Sequence, residues 1–182
     1  MSELDNLGYV KRIDKSNVLS LLENFPRQAD QVWRDFSAVK LPASYKKISD
    51  IVISGMGGSG LGGHVAQSLF YGELKIPLRV VNSYDIPASV GKNSLCVIIS
   101  YSGSTEEALA VLKQAKKKKA KIFIITGGGQ LARIAKQEKI ATYIFNPIHN
   151  RHHPRFGLGY TLIAQILLLA RLNLISLSPR EQ

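Results

Sequence analysis

Apolar positions along the chain follow two patterns that alternate. Short runs that are apolar throughout, DIVISG at 50–55, LRVVNS at 78–83, LCVIIS at 95–100, KIFIIT at 121–126 and ATYIF at 141–145, are rich in β-branched residues, the composition of buried strands. Between them LGGHVAQSLFYGEL at 61–74, EEALAVLKQA at 106–115 and QLARIAKQEK at 130–139 carry apolar residues at helical spacing. A strand with no polar face needs cover on both sides. The alternation therefore predicts an α/β domain, a doubly wound, flavodoxin-like parallel sheet of five strands in the order 2-1-3-4-5 with helices on both faces.

The flanks add helices. Residues 16–37 place Leu19, Leu22, Val32, Trp33 and Phe36 at helical spacing, and Pro26 suits the first turn of a second helix, so two short helices are expected there. A longer one is expected from Phe156 to Leu174. At 182 residues and 45% hydrophobic, the chain reads as an N-terminal helical segment, residues 1–45, packed on one domain, residues 46–182.

Charge and cysteine content narrow the setting. Lys and Arg number 24 against 13 Asp and Glu, a net charge of +11, which attracts anions without choosing among them. The densest basic run, KKKK at 116–119, falls where the helix after residue 105 should end, and cations complement a helix C-terminus. With no interleaved aromatics and no zinc-finger spacing, a nucleic-acid partner is not expected. Cys96, the only cysteine, sits in an apolar run, as a buried small hydrophobe does; no disulfide framework is possible and a reducing cytoplasm is expected. The apolar stretch TLIAQILLLARLNLI is broken by Gln165 and Arg171, which favours a buried helix over a membrane span.

Two strand ends carry candidate chemistry. GMGGSGLGG at 55–63 follows the first strand and leads into a helix, an arrangement that lets backbone N–H groups and the helix N-terminus face an anion. Gly55, Gly57 and Gly60 also satisfy a dinucleotide fingerprint, but strand two ends in Asn82 and offers Asp85 only three residues later, where a ribose-binding acid is wanted. A nucleotide-triphosphate loop fails because no lysine follows Gly60. The second strand end is SYSGST at 100–105. Ser104 and Glu107 fit a capping box, which leaves the hydroxyls of Ser100, Ser102 and Thr105 spaced to converge on one anion with the N–H groups of the next helix. In the predicted strand order both turns border the crevice between strands one and three, a pairing suited to a monophosphorylated ligand.

GMGGSGLGG and SYSGSTEE in this order, with FPRQADQVW at 25–33 and PRFGLGY at 154–160, resemble the SIS (sugar isomerase) domain, and specifically the bifunctional phosphoglucose/phosphomannose isomerases. The resemblance implies a hexose 6-phosphate held by residues matching Gly58, Ser59, Ser100, Ser102 and Thr105. It also implies that Arg155 faces the reacting carbons, where it can stabilise an enediolate. It implies aldose–ketose isomerisation through a cis-enediol, without cofactor or metal. Members of that family carry two such domains, the second supplying the glutamate base and the ring-opening histidine and lysine. From the resemblance the chain is expected to be an incomplete enzyme, completed by a second SIS domain or a homodimer.

Two further readings stay open: a sugar-phosphate-sensing module that never catalyses, and a dinucleotide-dependent oxidoreductase resting on the three fingerprint glycines. Glu106 and Glu107 are the only carboxylates beside the hydroxyl turn and suit a helix's first turn better than a catalytic role. His149, His152 and His153 crowd one loop without the fixed spacing of metal ligands; they read as a basic rim to an anion pocket. His64 reads as a helix-surface or core residue.

Overall fold

Five parallel strands form the centre of the structure, a computed structural model that describes residues 3–150 and 153–177. They are β1 (Asp50–Gly55), β2 (Leu78–Val81), β3 (Ser94–Ser100), β4 (Lys121–Thr126) and β5 (Thr142–Ile144), arranged β2-β1-β3-β4-β5, the order read from the sequence. Before the sheet come α1 (Leu7–Ile13), α2 (Val18–Glu23) and α3 (Phe25–Phe36); between and after the strands run α4 (Gly58–Leu69), α5 (Glu106–Lys117), α6 (Gly129–Gln137) and α7 (Leu158–Arg171).

Successive strand residues point to opposite faces, and the core divides accordingly. Ile51, Ile53, Val97, Ile99 and Phe123 join Val32 and Phe36 of α3, Ala66 of α4 and Tyr160 and Leu168 of α7 in one buried cluster. Val52, Cys96, Ile98 and Ile124 pack with Val111 and Leu112 of α5 and Leu131 of α6 in the other. Burial pushes the Cys96 thiol up to about 12, with Asp50 adding to the effect, so it is an inert core residue.

Register fixes where the turns emerge. Gly55 of β1 lies opposite Ile99 of β3, so the glycine-rich and serine-rich turns leave neighbouring strands at nearly the same level. Ser100 in turn lies opposite Thr126, which brings the loop before α6 alongside. Buried amides of α3 hold the far side: Gln28 Nε2 donates to Phe156 O at 2.8 Å and Gln31 Nε2 to Asn146 O at 2.9 Å. Tyr160 Oη donates to Gln31 Oε1 at 3.0 Å. The chain between β5 and α7 is thus bonded to α3 at Asn146 and at Phe156.

Several boundaries differ from the sequence reading. Helix α1 was not anticipated; Asn6 caps it, its side chain accepting from the N–H groups of Gly8 and Tyr9. The last helix is shorter than 156–174 at both ends. A 3-10 turn, Pro154–Phe156, precedes it, and Asn173 in the left-handed region ends it, with Asn173 N donating to Ala170 O and Leu174 N to Leu169 O, the paired bonds of a glycine-type C-cap. The lysine run does end α5: Lys119 adopts the same left-handed conformation, and Lys118 Nζ reaches Ala88 O at 2.9 Å. Among the described residues no helix is long and apolar enough to cross a membrane.

Candidate functional site

The turn from β1 into α4 is built by close backbone approach. A Cβ on Gly60 would lie 2.5 Å from both Gly55 O and Asn82 Nδ2, whereas Gly58 faces open space. The bare loop is packed from beneath and free above. Ser59 N donates to Met56 O and Gly60 N to Gly57 O, both at 3.1 Å, and no side chain caps α4, which leaves the Gly58 N–H open at the positive end of the helix dipole.

The turn from β3 into α5 is held by hydroxyls instead. Ser100 is 1% exposed; its Oγ lies 2.7 Å from Thr105 Oγ1 and 3.4 Å from Ser102 Oγ, and accepts from Gly103 N at 3.0 Å. Gly103 has φ +70° and is pressed against Gly128 O, leaving no room for a side chain. Ser102 is exposed and Thr105 half-buried. Ser100 therefore forms the floor of the cluster, with Ser102 and Thr105 above it.

The capping box expected from Ser104 and Glu107 does not form. Thr105 occupies the N-cap position and no side chain caps α5. Ser104 Oγ instead accepts from Gln130 N of α6, 3.5 Å away, and the Thr105 hydroxyl is engaged with Ser100. The competing partners are neighbours in space that local spacing does not show. The consequence for binding is favourable, because the first-turn N–H groups of α5 stay available to an anion.

Glycine and hydroxyl turns meet a third segment. Gly58, Ser59, Tyr101, Arg155, Gly157 and Thr161 line one narrow crevice, so Gly58, Ser59 and Arg155 are brought together while Ser100, Ser102 and Thr105 cluster in the turn that contains Tyr101. The enclosed space is about 10 Å³, room for one water-sized group; a larger ligand would rest across its mouth. A roomier apolar hollow of about 410 Å³, lined by Trp33, Leu69, Ile163 and Ile166 among others, lies between α3, α4 and α7, away from the strand ends. Tyr101, Gly157 and Thr161 were not foreseen, although Tyr101 stands inside the serine-rich motif itself. Burial pushes the Tyr101 phenol up to about 12, nearby Tyr160 adding to this and the Asn150 hydrogen bond opposing it, so it is a hydrogen-bond donor at neutral pH.

The remaining candidates take ordinary places. Tyr84 Oη donates to Glu106 Oε2 at 3.3 Å; its phenol is pushed up by the charge of Glu107 first, then by burial and Glu106. Asp85 Oδ1 accepts from Gln114 of α5 at 3.2 Å, which engages the one acid that a dinucleotide reading had near strand two. His64 is exposed on α4. His149 N donates to Tyr160 Oη, His153 packs edge-on against Phe156, and His152 lies outside the described residues. Among the described residues no group of three His, Cys, Asp or Glu side chains is placed to hold a metal ion.

Comparison with known proteins bears on the family and the fold. The family model described as "SIS domain" matches residues 44–172. Over 152 residues, 84% of the chain, the sequence is 34% identical to a bifunctional phosphoglucose/phosphomannose isomerase of Caldicellulosiruptor bescii, of which it spans 44%. It is also 34% identical, over 124 residues and 68% of its length, to a D-glucosamine-6-phosphate 4-epimerase of Sulfolobus acidocaldarius, spanning 36% of that protein. In fold it is similar to the crystal structure of tagatose-6-phosphate ketose/aldose isomerase from Escherichia coli, with a TM-score of 0.65 and 15% identity over 85% of this chain and 47% of that one. The chain thus spans less than half the length of these relatives.

Proposed function

The chain belongs to the SIS domain family, and on that footing we propose that it binds a hexose 6-phosphate at the β1–β3 crevice as part of a phosphoglucose/phosphomannose isomerase. One observation carries this reading: two uncapped helix N-termini, α4 and α5, leave adjoining parallel strands beside a hydroxyl cluster. A phosphate dianion asks for many donors and little shape discrimination. The first-turn N–H groups of α5, the hydroxyls of Ser102 and Thr105, the backbone N–H of Gly58 and the hydroxyl of Ser59 supply them, with Ser100 orienting the two hydroxyls of its own turn from below.

Arg155 lines the same crevice and carries a fixed positive charge. With the phosphate in the cup, the sugar extends across the crevice mouth toward this guanidinium, which stabilises charge developing on the enediolate oxygens. Proton transfer between C1 and C2 needs a base within hydrogen-bond reach of both. Among the described residues no carboxylate or histidine lines the crevice, and in this reading the base and the ring-opening group come from a second SIS unit or a second copy of the chain. Isomerisation moves a proton and no net electrons, so no redox cofactor takes part. The setting is the cytoplasm, in the hexose phosphate interconversions shared by glycolysis and gluconeogenesis.

The bare crevice also favours a second reading, a sensing module that binds the same ligand without turnover. Two measurements separate the possibilities. Calorimetry with glucose 6-phosphate, fructose 6-phosphate and NAD should show binding of the sugar phosphates and none of NAD; the reverse pattern would overturn the site. A coupled assay should show negligible isomerisation by the chain alone and turnover once a second SIS unit is added, whereas continued silence with that unit bound would favour the sensor.

A further inference from the structure

Arg155 reaches the crevice from a segment far along the chain from the serine-rich turn, and its own side chain does nothing to fix it there. Among the described residues it has neither a hydrogen bond nor an ion pair, and it is exposed. Its placement depends on the backbone at Asn150 and at residues 153–157. Two side chains hold that backbone: Gln28, which donates to Phe156 O, and Asn150, which is 2% exposed and donates from Nδ2 to His153 O at 3.3 Å.

Asn150 is itself held by the hydroxyl turn. Tyr101 Oη donates to Asn150 Oδ1 at 3.0 Å, and Asn150 O is 3.5 Å away. The Tyr101 ring is tilted against Phe145 with centroids 5.3 Å apart. Gly157 is packed so closely that a Cβ there would overlap the ring edge and lie 2.8 Å from Asn150 Nδ2. The residue between Ser100 and Ser102 therefore touches both ends of the Arg155 segment. A tyrosine whose role was only to fill space would be satisfied by its ring contacts; here the hydroxyl supplies a directional bond to a buried amide that in turn orients the segment.

We propose that Tyr101, acting through Asn150, is a positioning residue that sets the separation between the phosphate-binding turn and Arg155, and so favours a phosphosugar over phosphate alone. This rests on the hexose 6-phosphate reading of the crevice. Removing the hydroxyl leaves the ring packing in place, so Tyr101→Phe should fold. Its effect should fall on the sugar end of the ligand only.

The test is titration of wild type, Tyr101→Phe, Arg155→Ala and the double variant with glucose 6-phosphate and, separately, with inorganic phosphate. Tyr101→Phe is expected to weaken glucose 6-phosphate binding roughly tenfold, the scale of one net hydrogen bond, and to leave inorganic phosphate unchanged. In the Arg155→Ala background it should cost nothing further, because the group it positions is gone. Asn150→Ser should reproduce the Tyr101→Phe pattern and add nothing to it. Unchanged glucose 6-phosphate affinity in Tyr101→Phe would overturn the proposal, and so would equal losses for both ligands or full additivity with Arg155→Ala. A wild-type chain that binds neither ligand would overturn the crevice reading itself, a result distinct from any of these.

Discussion

The two turns that border the crevice reach the same end by opposite means. After β1 the chain uses glycine: backbone presses on backbone at Gly55 and Gly60, nothing covers Gly58, and the loop has no polar side chain holding it. After β3 it uses hydroxyls: a second serine, a threonine and a backbone N–H close on the buried Ser100 within 2.7 to 3.4 Å. The first turn is specified by what does not fit, the second by what pairs. The glycine turn should therefore fail through stability, and the hydroxyl turn through affinity.

The largest effect is expected at Gly60. Placing a methyl 2.5 Å from Gly55 O forces backbone to move, and Gly60→Ala should lower unfolding stability by about 3 kcal/mol, the upper range for overpacking. Gly58→Ala, with open space above it, should be neutral or slightly stabilising in urea denaturation, since alanine in a first helical turn is the better helix former. Equal destabilisation by both would mean that steric contact does not specify this turn.

The hydroxyl turn should show the reverse balance. Ser102→Ala with Thr105→Val should weaken hexose 6-phosphate binding by roughly 1 to 3 kcal/mol, the scale for hydrogen bonds to a charged group. Its cost in stability should be about 1 kcal/mol, one net hydrogen bond, because Ser100 keeps its bond to Gly103 N and no side-chain cap of α5 is lost. Calorimetry together with denaturation of the same protein checks both halves.

A smaller effect separates the turns at alkaline pH. Only the hydroxyl turn carries a titratable group, Tyr101, whose phenol is raised from 10.0 to about 12 chiefly by burial. A raised phenol binds its proton more tightly when folded, so its contribution to stability is complete below pH 10 and is lost as pH rises toward about 12. Tyr45, raised to about 12 by burial, adds to the same decline. Urea denaturation across this range should show falling stability in the wild-type chain and a shallower fall in Tyr101→Phe.

How far the sequence foretold the molecule depends on the range of the interactions involved. The continuous apolar runs of the strands fixed the sheet and its covering helices, because burial on both faces leaves a local mark. The two turns were legible for the same reason: glycine and serine clusters at strand ends are local signals. The cap of α5 was misread because Ser104 bonds to Gln130, 26 residues away. Tyr101 escaped notice because its partner, Asn150, lies 49 residues off. Gln28 and Gln31, polar side chains of α3, are buried and bonded to Phe156 O and Asn146 O, each across more than a hundred residues. Side chains whose purpose is to hold distant segments in place leave no periodicity for a sequence to show.

The central claim is that both turns converge on a single anion, and backbone amide shifts test it most directly. In a titration of the isotope-labelled chain with glucose 6-phosphate, the largest changes should fall together on the amides of residues 57–61 and 102–108, with one shared dissociation constant. Shifts confined to one turn, or centred on the hollow between α3, α4 and α7, would contradict it.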